Sequence, residues 1–361
     1  MAAGGAAMTT VAYCAISPDG RTFEDQLTLD DASLPGLRVL TDAVHREGAA
    51  ACAQITHGGA FTFVPKLSTG NPRSASGGFN PPGVISGRFF KIAMTEDDLT
   101  RIVEEFAAAA RRAREAGFDA VEIHMGHGYL LSQFLSPAYN KRSDRWGGRS
   151  AAERARFPAR VLRRVLEEVG NTMAVICKIS VTEGFKGGGT AEDAVQVAQA
   201  LQQAGAHLLV LSGGMNVEAP WAIFGSNMPS AATDVIDNKI IRSATRLMKL
   251  WEPKMNFHEL YLREHSLKIR AAVKMPLAYL GGAKSVAGVQ QILADGFDGV
   301  VMGRALIHEP NLVTQFRDGK ATVSGCTACN QCVVKMYSAG GTQCVLHPPN
   351  DVLLNQTPAS A

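Results

Sequence analysis

A short, largely apolar run reached within two or three residues of a glycine recurs three times: Gly117-Phe-Asp-Ala-Val-Glu-Ile-His124, Gly205-Ala-His-Leu-Leu-Val-Leu-Ser212 and Gly296-Phe-Asp-Gly-Val-Val-Met-Gly303. Each run follows a segment with apolar residues at helical spacing. Thr95 and Asp98 predict a capping box ahead of Leu99, Ile102, Val103, Phe106 and Ala110. Thr190 opens a run carrying Val195, Ala198 and Leu201, and Ser285 precedes Val289, Ile292 and Leu293. The spacing of the three phrases leaves room for one more strand–helix unit in each gap, and these are visible at Met173 to Ser180 and Pro276 to Leu280.

Strand alternating with helix, with strands almost continuously apolar, implies a parallel sheet covered by helices. That is either an open doubly wound sheet or a (β/α)8 barrel of TIM type. No G-x-G-x-x-G turn follows the first strand, and the glycine turns Leu280-Gly281-Gly282-Ala283 and Met302-Gly303-Arg304 come late, so the barrel is favoured. Two connections, Gly58 to Met94 and Gly213 to Phe257, are too long for ordinary strand–helix loops and are expected to shape the barrel mouth. Residues 1–317 then form the barrel, 318–354 a cysteine-rich extension packed on it, and 355–361 a disordered tail.

Composition narrows the class. The 361 residues carry a net charge of +3 with 19% charged residues, which gives no reason to expect nucleic acid or an acidic membrane surface as a partner. No window approaches the roughly 18 uninterrupted apolar residues of a membrane span, and Met1 to Ala7 lacks the parts of a signal peptide, so the expectation is a cytoplasmic protein. Oligomeric state is left open. Of seven cysteines, Cys14, Cys52 and Cys177 fall in apolar strand-like runs, while Cys326, Cys329, Cys332 and Cys344 cluster. This is metal or buried-thiol usage rather than a secreted disulfide framework. The spacing of the four suits a four-iron cluster, less well zinc, and is also compatible with unliganded thiols.

Other residues point to chemistry. His124 ends a buried strand and His127 follows three residues on, so both can converge on one oxygen at a barrel mouth, with Tyr129 close behind. Gln54 stands at the end of a buried strand where an apolar residue is expected, and Lys178 lies within Val175-Ile-Cys-Lys-Ile-Ser180. Backbone amides at Gly281, Gly282 and Gly303, with the fixed charge of Arg304, form a candidate phosphate site after the last two strands.

The stretch from Gly117 to Gly148, including His124-Met-Gly-His-Gly-Tyr129 and Arg145-Trp-Gly-Gly148, resembles the signature of the Old Yellow Enzyme family of flavin-dependent ene-reductases. The likeness extends to Gln54-Ile-Thr-His-Gly-Gly59 and both late glycine turns. The cysteine cluster resembles that of the subgroup related to 2,4-dienoyl-CoA reductase, which has one residue more between the second and third cysteines. The resemblance implies a TIM barrel, FMN, and hydride passed from NADH or NADPH through the flavin to an activated carbon–carbon double bond of a small alkene or enone. It implies that His124 and His127 bind the substrate carbonyl, Tyr129 gives the proton, Gln54 and Lys178 meet the flavin ring, and the glycine turns with Arg304 hold its phosphate. Lys178 stands where the family commonly has arginine, keeping the charge but not the planar fork. A demethylase or dehydrogenase on the same barrel, or an inactive homologue that only binds, are the alternatives.

The apolar strand runs number seven (Met8 to Ala15, Ala49 to Thr56, Ala120 to His124, Ala174 to Ser180, His207 to Ser212, Leu277 to Leu280, Val300 to Met302), where a closed barrel of this type has eight. Gly4-Gly5 followed by Met8 to Cys14 resembles the family's second strand. The expectation is therefore an N-terminally truncated barrel that binds FMN poorly and is prone to aggregate, restored by an extension of roughly 40 residues.

Overall fold

A computed structural model of the protein describes residues 1–234, 239–249, 252–336 and 341–346. The tail at 355–361 and part of the 318–354 extension lie outside the described residues.

Seven parallel strands form one curled sheet: β1 (Met8–Ala15), β2 (Ala50–Thr56), β3 (Ala120–Met125), β4 (Ala174–Ser180), β5 (Leu208–Ser212), β6 (Leu277–Tyr279) and β7 (Gly299–Val300). Their order in space is their order along the chain, with β1 and β7 at the two edges. Every pairing is parallel. The α/β class and the seven strands agree with the sequence pattern. A parallel pair needs a crossover, and amphipathic helices supply it.

The longest helix, α2 (Glu96–Glu115), shows why the local sequence folds as it does. Thr95 and Asp98 close the capping box, three acids occupy the first turn, and Arg112 and Arg114 sit in the last, all in agreement with the helix dipole. Its buried face includes Leu99, Ile102, Val103 and Phe106, and each such side chain contributes roughly 1.5–3 kcal/mol on burial. The neighbouring helix Arg156–Val169 buries Phe157, Val161, Leu162 and Val165, and Arg164 bridges to Glu104 of α2 at 3.0 Å. Arg154 is 2% exposed, a charge fully paid in hydrogen bonds: it donates to Leu135 O, Arg149 O and Asp193 Oδ1.

Alternation along the strands divides the sheet into two faces. Ala51, Ala53 and Ile55 of β2, Val121, Ile123 and Met125 of β3, Val175, Cys177 and Ile179 of β4, and Leu209 and Leu211 of β5 join the main core beneath the helices. The intervening residues form a smaller cluster of Cys52, Ala120, Ile176, Val210 and Ala278 on the other face. Further along the same strands, towards their carboxyl ends, that inner face turns polar: Gln54, Thr56, Glu122, His124, Lys178 and Ser212. The connection from 58 to 94 holds a small three-stranded sheet, Arg73–Ser74, Phe90–Ala93 and Gly78–Phe79 in that order, which the sequence pattern did not disclose.

Candidate active site

His124 and His127 meet at the carboxyl end of β3. Their ring centroids are 4.9 Å apart and nearly perpendicular, and the Tyr129 ring lies 4.6 Å from that of His124. The backbone N–H of Gly126 donates to His124 Nδ1, which places the imidazole proton on Nε2 as the free donor. His127 Nε2 lies 2.8 Å from Ser212 Oγ at the end of β5, and its backbone N–H donates to Ser180 Oγ at the end of β4. Residues at three strand ends thus hold His127, one of them at its imidazole. His127 sits in the left-handed region with φ of 59°, a backbone conformation costly for a residue with a side chain and characteristic of sites where geometry is over-determined. Burial, then the nearby Lys178 ammonium, holds the His127 imidazole down to about 3; burial, His127 and Lys178 hold His124 well below the usual range. Both rings are therefore neutral hydrogen-bonding groups at neutral pH rather than cations.

One strand step further in, Gln54 and Lys178 share a partner that sequence reasoning missed. Glu122 Oε1 accepts from Gln54 Nε2 and lies 3.6 Å from Lys178 Nζ. Glu122 and His124 stand two residues apart, so strand periodicity held the signal. Tyr13 was also missed: its ring lies 5.2 Å from that of Tyr129.

The late glycine turns form a second neighbourhood. A Cβ at Gly282 would fall 2.8 Å from Tyr261 and 3.0 Å from Phe257, and Gly282 has φ of 82°, so this turn needs glycine. At Gly281 a Cβ would fall 2.3 Å from the Tyr279 hydroxyl, which donates to the Gly281 carbonyl. A Cβ at Gly303 would meet nothing within 4 Å, while its carbonyl accepts from Leu306 N and Ile307 N. Arg304 lies over the rings of Phe257 and Phe224 and donates to Phe224 O and to Asn330 Oδ1, each at 2.6 Å.

Asn330 belongs to the cysteine segment, which the barrel holds at several points. Lys284 Nζ donates to Cys326 O, Ser226 Oγ to Ala328 O, and Asn330 Nδ2 to Ser226 Oγ. Cys332 is electrostatically coupled to Cys326, Cys329 and Cys344, and burial leads these in raising its thiol above the ordinary value. Cys344 Sγ lies 3.2 Å from His308 Nδ1. Among the described residues no group of three or more His, Cys, Asp or Glu side chains is gathered as ligands to a single metal ion. The thiols thus share a neighbourhood without the tight tetrahedron that zinc asks for.

Polar atoms left without partners bear on a cofactor. Thr56 Oγ1 at the end of β2 and Asn216 Nδ2, in the loop whose backbone donates to His127 O, are buried and unpaired. Such atoms cost free energy unless a ligand or water meets them. Together with Gln54 and Lys178, they are polar groups of the kind that would suit a polar, phosphate-bearing ring system.

The chain belongs to the NADH:flavin oxidoreductase / NADH oxidase family, whose model matches residues 1–221. It is accordingly an enzyme of the NAD(P)H-dependent flavin oxidoreductase class. It is 40% identical over 356 residues to 4,4'-dithiodibutanoate disulfide reductase of Rhodococcus erythropolis, covering 96% of this chain and 84% of that one. It is 31% identical to NADH oxidase of Thermoanaerobacter brockii over 87% of this chain but only 43% of that relative, so it spans less than half of that protein. In fold it is similar to the old yellow enzyme homologue from Zymomonas mobilis, with a TM-score of 0.68 and 22% identity over 96% of this chain and 86% of that one. No described helix is long and apolar enough to cross a membrane.

Proposed function

We propose that the chain reduces a small electrophilic alkene or enone, binding the substrate carbonyl oxygen between His124 and His127. The observation that carries this reading is the pair itself: two buried, neutral imidazoles whose rings meet at 4.9 Å at the end of one strand. Hydride addition to an enone moves charge onto the carbonyl oxygen, and donors fixed in a water-poor site stabilise that charge more in the transition state than in the ground state. The Nε2–H of His124 is set up for this by the Gly126 contact, and Tyr129 stands beside it to protonate the neighbouring carbon.

FMN, reduced by NADH or NADPH, supplies the hydride in this reading. Gln54 and Lys178 would meet its ring, and the turns at Gly281, Gly282 and Gly303 with Arg304 would meet its phosphate. Cys326, Cys329, Cys332 and Cys344 would hold a four-iron cluster, whose separate irons need no single shared ligand point. Protein prepared without air should then contain iron and acid-labile sulfide near four per chain, and one zinc or no metal rejects the assignment.

A second reading is favoured by the 40% identical Rhodococcus erythropolis relative, whose name records a dicarboxylic disulfide as substrate. Rapid mixing of the reduced protein with an enone, and separately with a carboxylate-bearing disulfide, distinguishes the two. Faster flavin reoxidation by the enone supports the alkene reading; faster reoxidation by the disulfide replaces it.

A further inference from the structure

We propose that Glu122 is a positioning residue that holds Gln54 and Lys178 in place and, by setting an anion beside the cation assigned to the flavin ring, lowers the reduction potential of the bound flavin. This rests on the flavin reading above, in which Gln54 and Lys178 meet the ring.

The sheet register builds the arrangement. Glu122 stands directly opposite Gln54 of β2, and His124, two residues on, stands opposite Lys178 of β4. Residues two apart on a strand share a face, so all four side chains project to the inner side of the sheet. Lys178 is then a diagonal neighbour of Glu122, within reach of a long side chain. Glu122 Oε1 accepts from Gln54 Nε2 and lies 3.6 Å from Lys178 Nζ. A carboxylate only accepts, so it fixes the Gln54 amide with its nitrogen towards Glu122 and its oxygen turned away.

Packing does not ask for charge at this level of the sheet. The inner-face residues two positions earlier on the same strands, Cys52, Ala120, Ile176 and Val210, form an apolar cluster. Glu122 itself is 4% exposed. A buried ion pair adds little net stability over apolar residues of the same volume, because desolvation offsets the attraction. The pair is better accounted for by the field it sets at a bound group.

The charge balance gives the sign of the effect. The oxidised flavin ring is neutral, and uptake of a hydride, two electrons with one proton, makes it an anion. A lone ammonium at its edge favours that reduced form. An ammonium with a carboxylate 3.6 Å away acts instead as a dipole, whose field falls off faster with distance than that of a single charge, so the reduced form gains less.

The test is redox titration of the FMN-loaded full chain against a reference dye. It is read as the ratio of the dissociation constants of oxidised and reduced FMN in wild type, Glu122→Gln and the double variant Glu122→Gln with Lys178→Met. Glu122→Gln keeps the size of the side chain and an acceptor oxygen for Gln54, and it should raise the ratio by roughly tenfold, a shift of about 30 mV for a two-electron couple. The double variant, with both opposing charges gone, should stay within about threefold of wild type. A ratio that does not rise in Glu122→Gln overturns the proposal. So does a larger fall in the double variant, the result expected if Glu122 only props its partners while Lys178 alone acts on the ring. Because the double variant leaves no lone buried ion, it decides the matter even where Glu122→Gln does not fold. A wild-type apoprotein that takes up no FMN on titration fails the flavin reading itself, an outcome distinguishable from the other two.

Discussion

The two faces of the same strands solve different problems. On β3, Val121, Ile123 and Met125 point to the helices and are at most 1% exposed, part of one continuous apolar core. Between them Glu122 and His124 point the other way and are nearly as buried, at 4% and 3%, yet one is a carboxylate and the other an imidazole. Burial alone therefore does not separate packing from chemistry. The outer residues need only shape and apolarity, whereas each inner one needs a named partner: Gln54 and Lys178 for Glu122, Gly126 for His124, Ser212 for His127. The face whose polar groups must be satisfied one by one is the face to which the proposed function is assigned.

The widest separation of the two faces should come from the inner histidines. Replacing both His124 and His127 with Ala should lower the rate of enone reoxidation by at least the ~100- to 1,000-fold typical of a lost oxyanion donor, while flavin reduction by NAD(P)H stays within a few-fold. Stopped-flow half-reactions read both, and unchanged enone reoxidation removes the carbonyl assignment. The outer face should answer in stability instead. Ile123→Ala should cost about 2–5 kcal/mol in urea unfolding with turnover per folded molecule little altered, and a loss below 1 kcal/mol would mean that this face is not a close-packed core.

Arg304→Ala tests the other neighbourhood. Removing its charge-assisted contacts should weaken FMN binding by about 1.5–3 kcal/mol, seen by titrating the apoprotein. Wild-type affinity would show that its fork serves only Phe224 and Asn330. The smallest effect is a pH slope. Burial pushes Glu183 up to about 7 from the ordinary 4.5, against hydrogen bonds donated by Gly189 N and Ser136. A carboxyl that prefers to stay protonated when folded favours the native state at low pH, and that advantage is lost as pH rises from about 4.5 to about 7. The stability of wild type minus that of Glu183→Gln should fall across this window, by at most about 1.4 kcal/mol per pH unit. A flat difference would place Glu183 in contact with water.

Much of this was legible in the sequence because it is periodic or capped. The seven strand runs matched the observed strands to within two residues, the Thr95 box closes as its spacing predicts, and Thr190 opens its helix. His124, His127 and Tyr129 announced themselves through a strand end and a glycine turn. What stayed hidden depended on partners distant in the chain. Glu122 carries no signal of its own within its apolar run; only the fold brings Gln54 and Lys178 to it. Tyr13 carries no signal of its own within its strand run, because its approach to Tyr129 exists only in the fold. Arg304 carried the signal of an anion-binding cation, yet its geometry with Asn330 ties the glycine turn to the cysteine segment, a link no local pattern encodes.

The strand order has a consequence for how the protein is made. Each strand lies beside the one that precedes it in the chain, so no later strand must be threaded between two earlier ones. As synthesis proceeds from the N-terminus, every emerging strand finds its partner already available, and the sheet can grow from one side in the order of translation. The Tyr13 strand, the His124 strand and the Lys178 strand are in place before the glycine turns leave the ribosome. A growing chain can therefore assemble the strand ends that carry the proposed carbonyl site while the turns proposed to meet phosphate have yet to be translated.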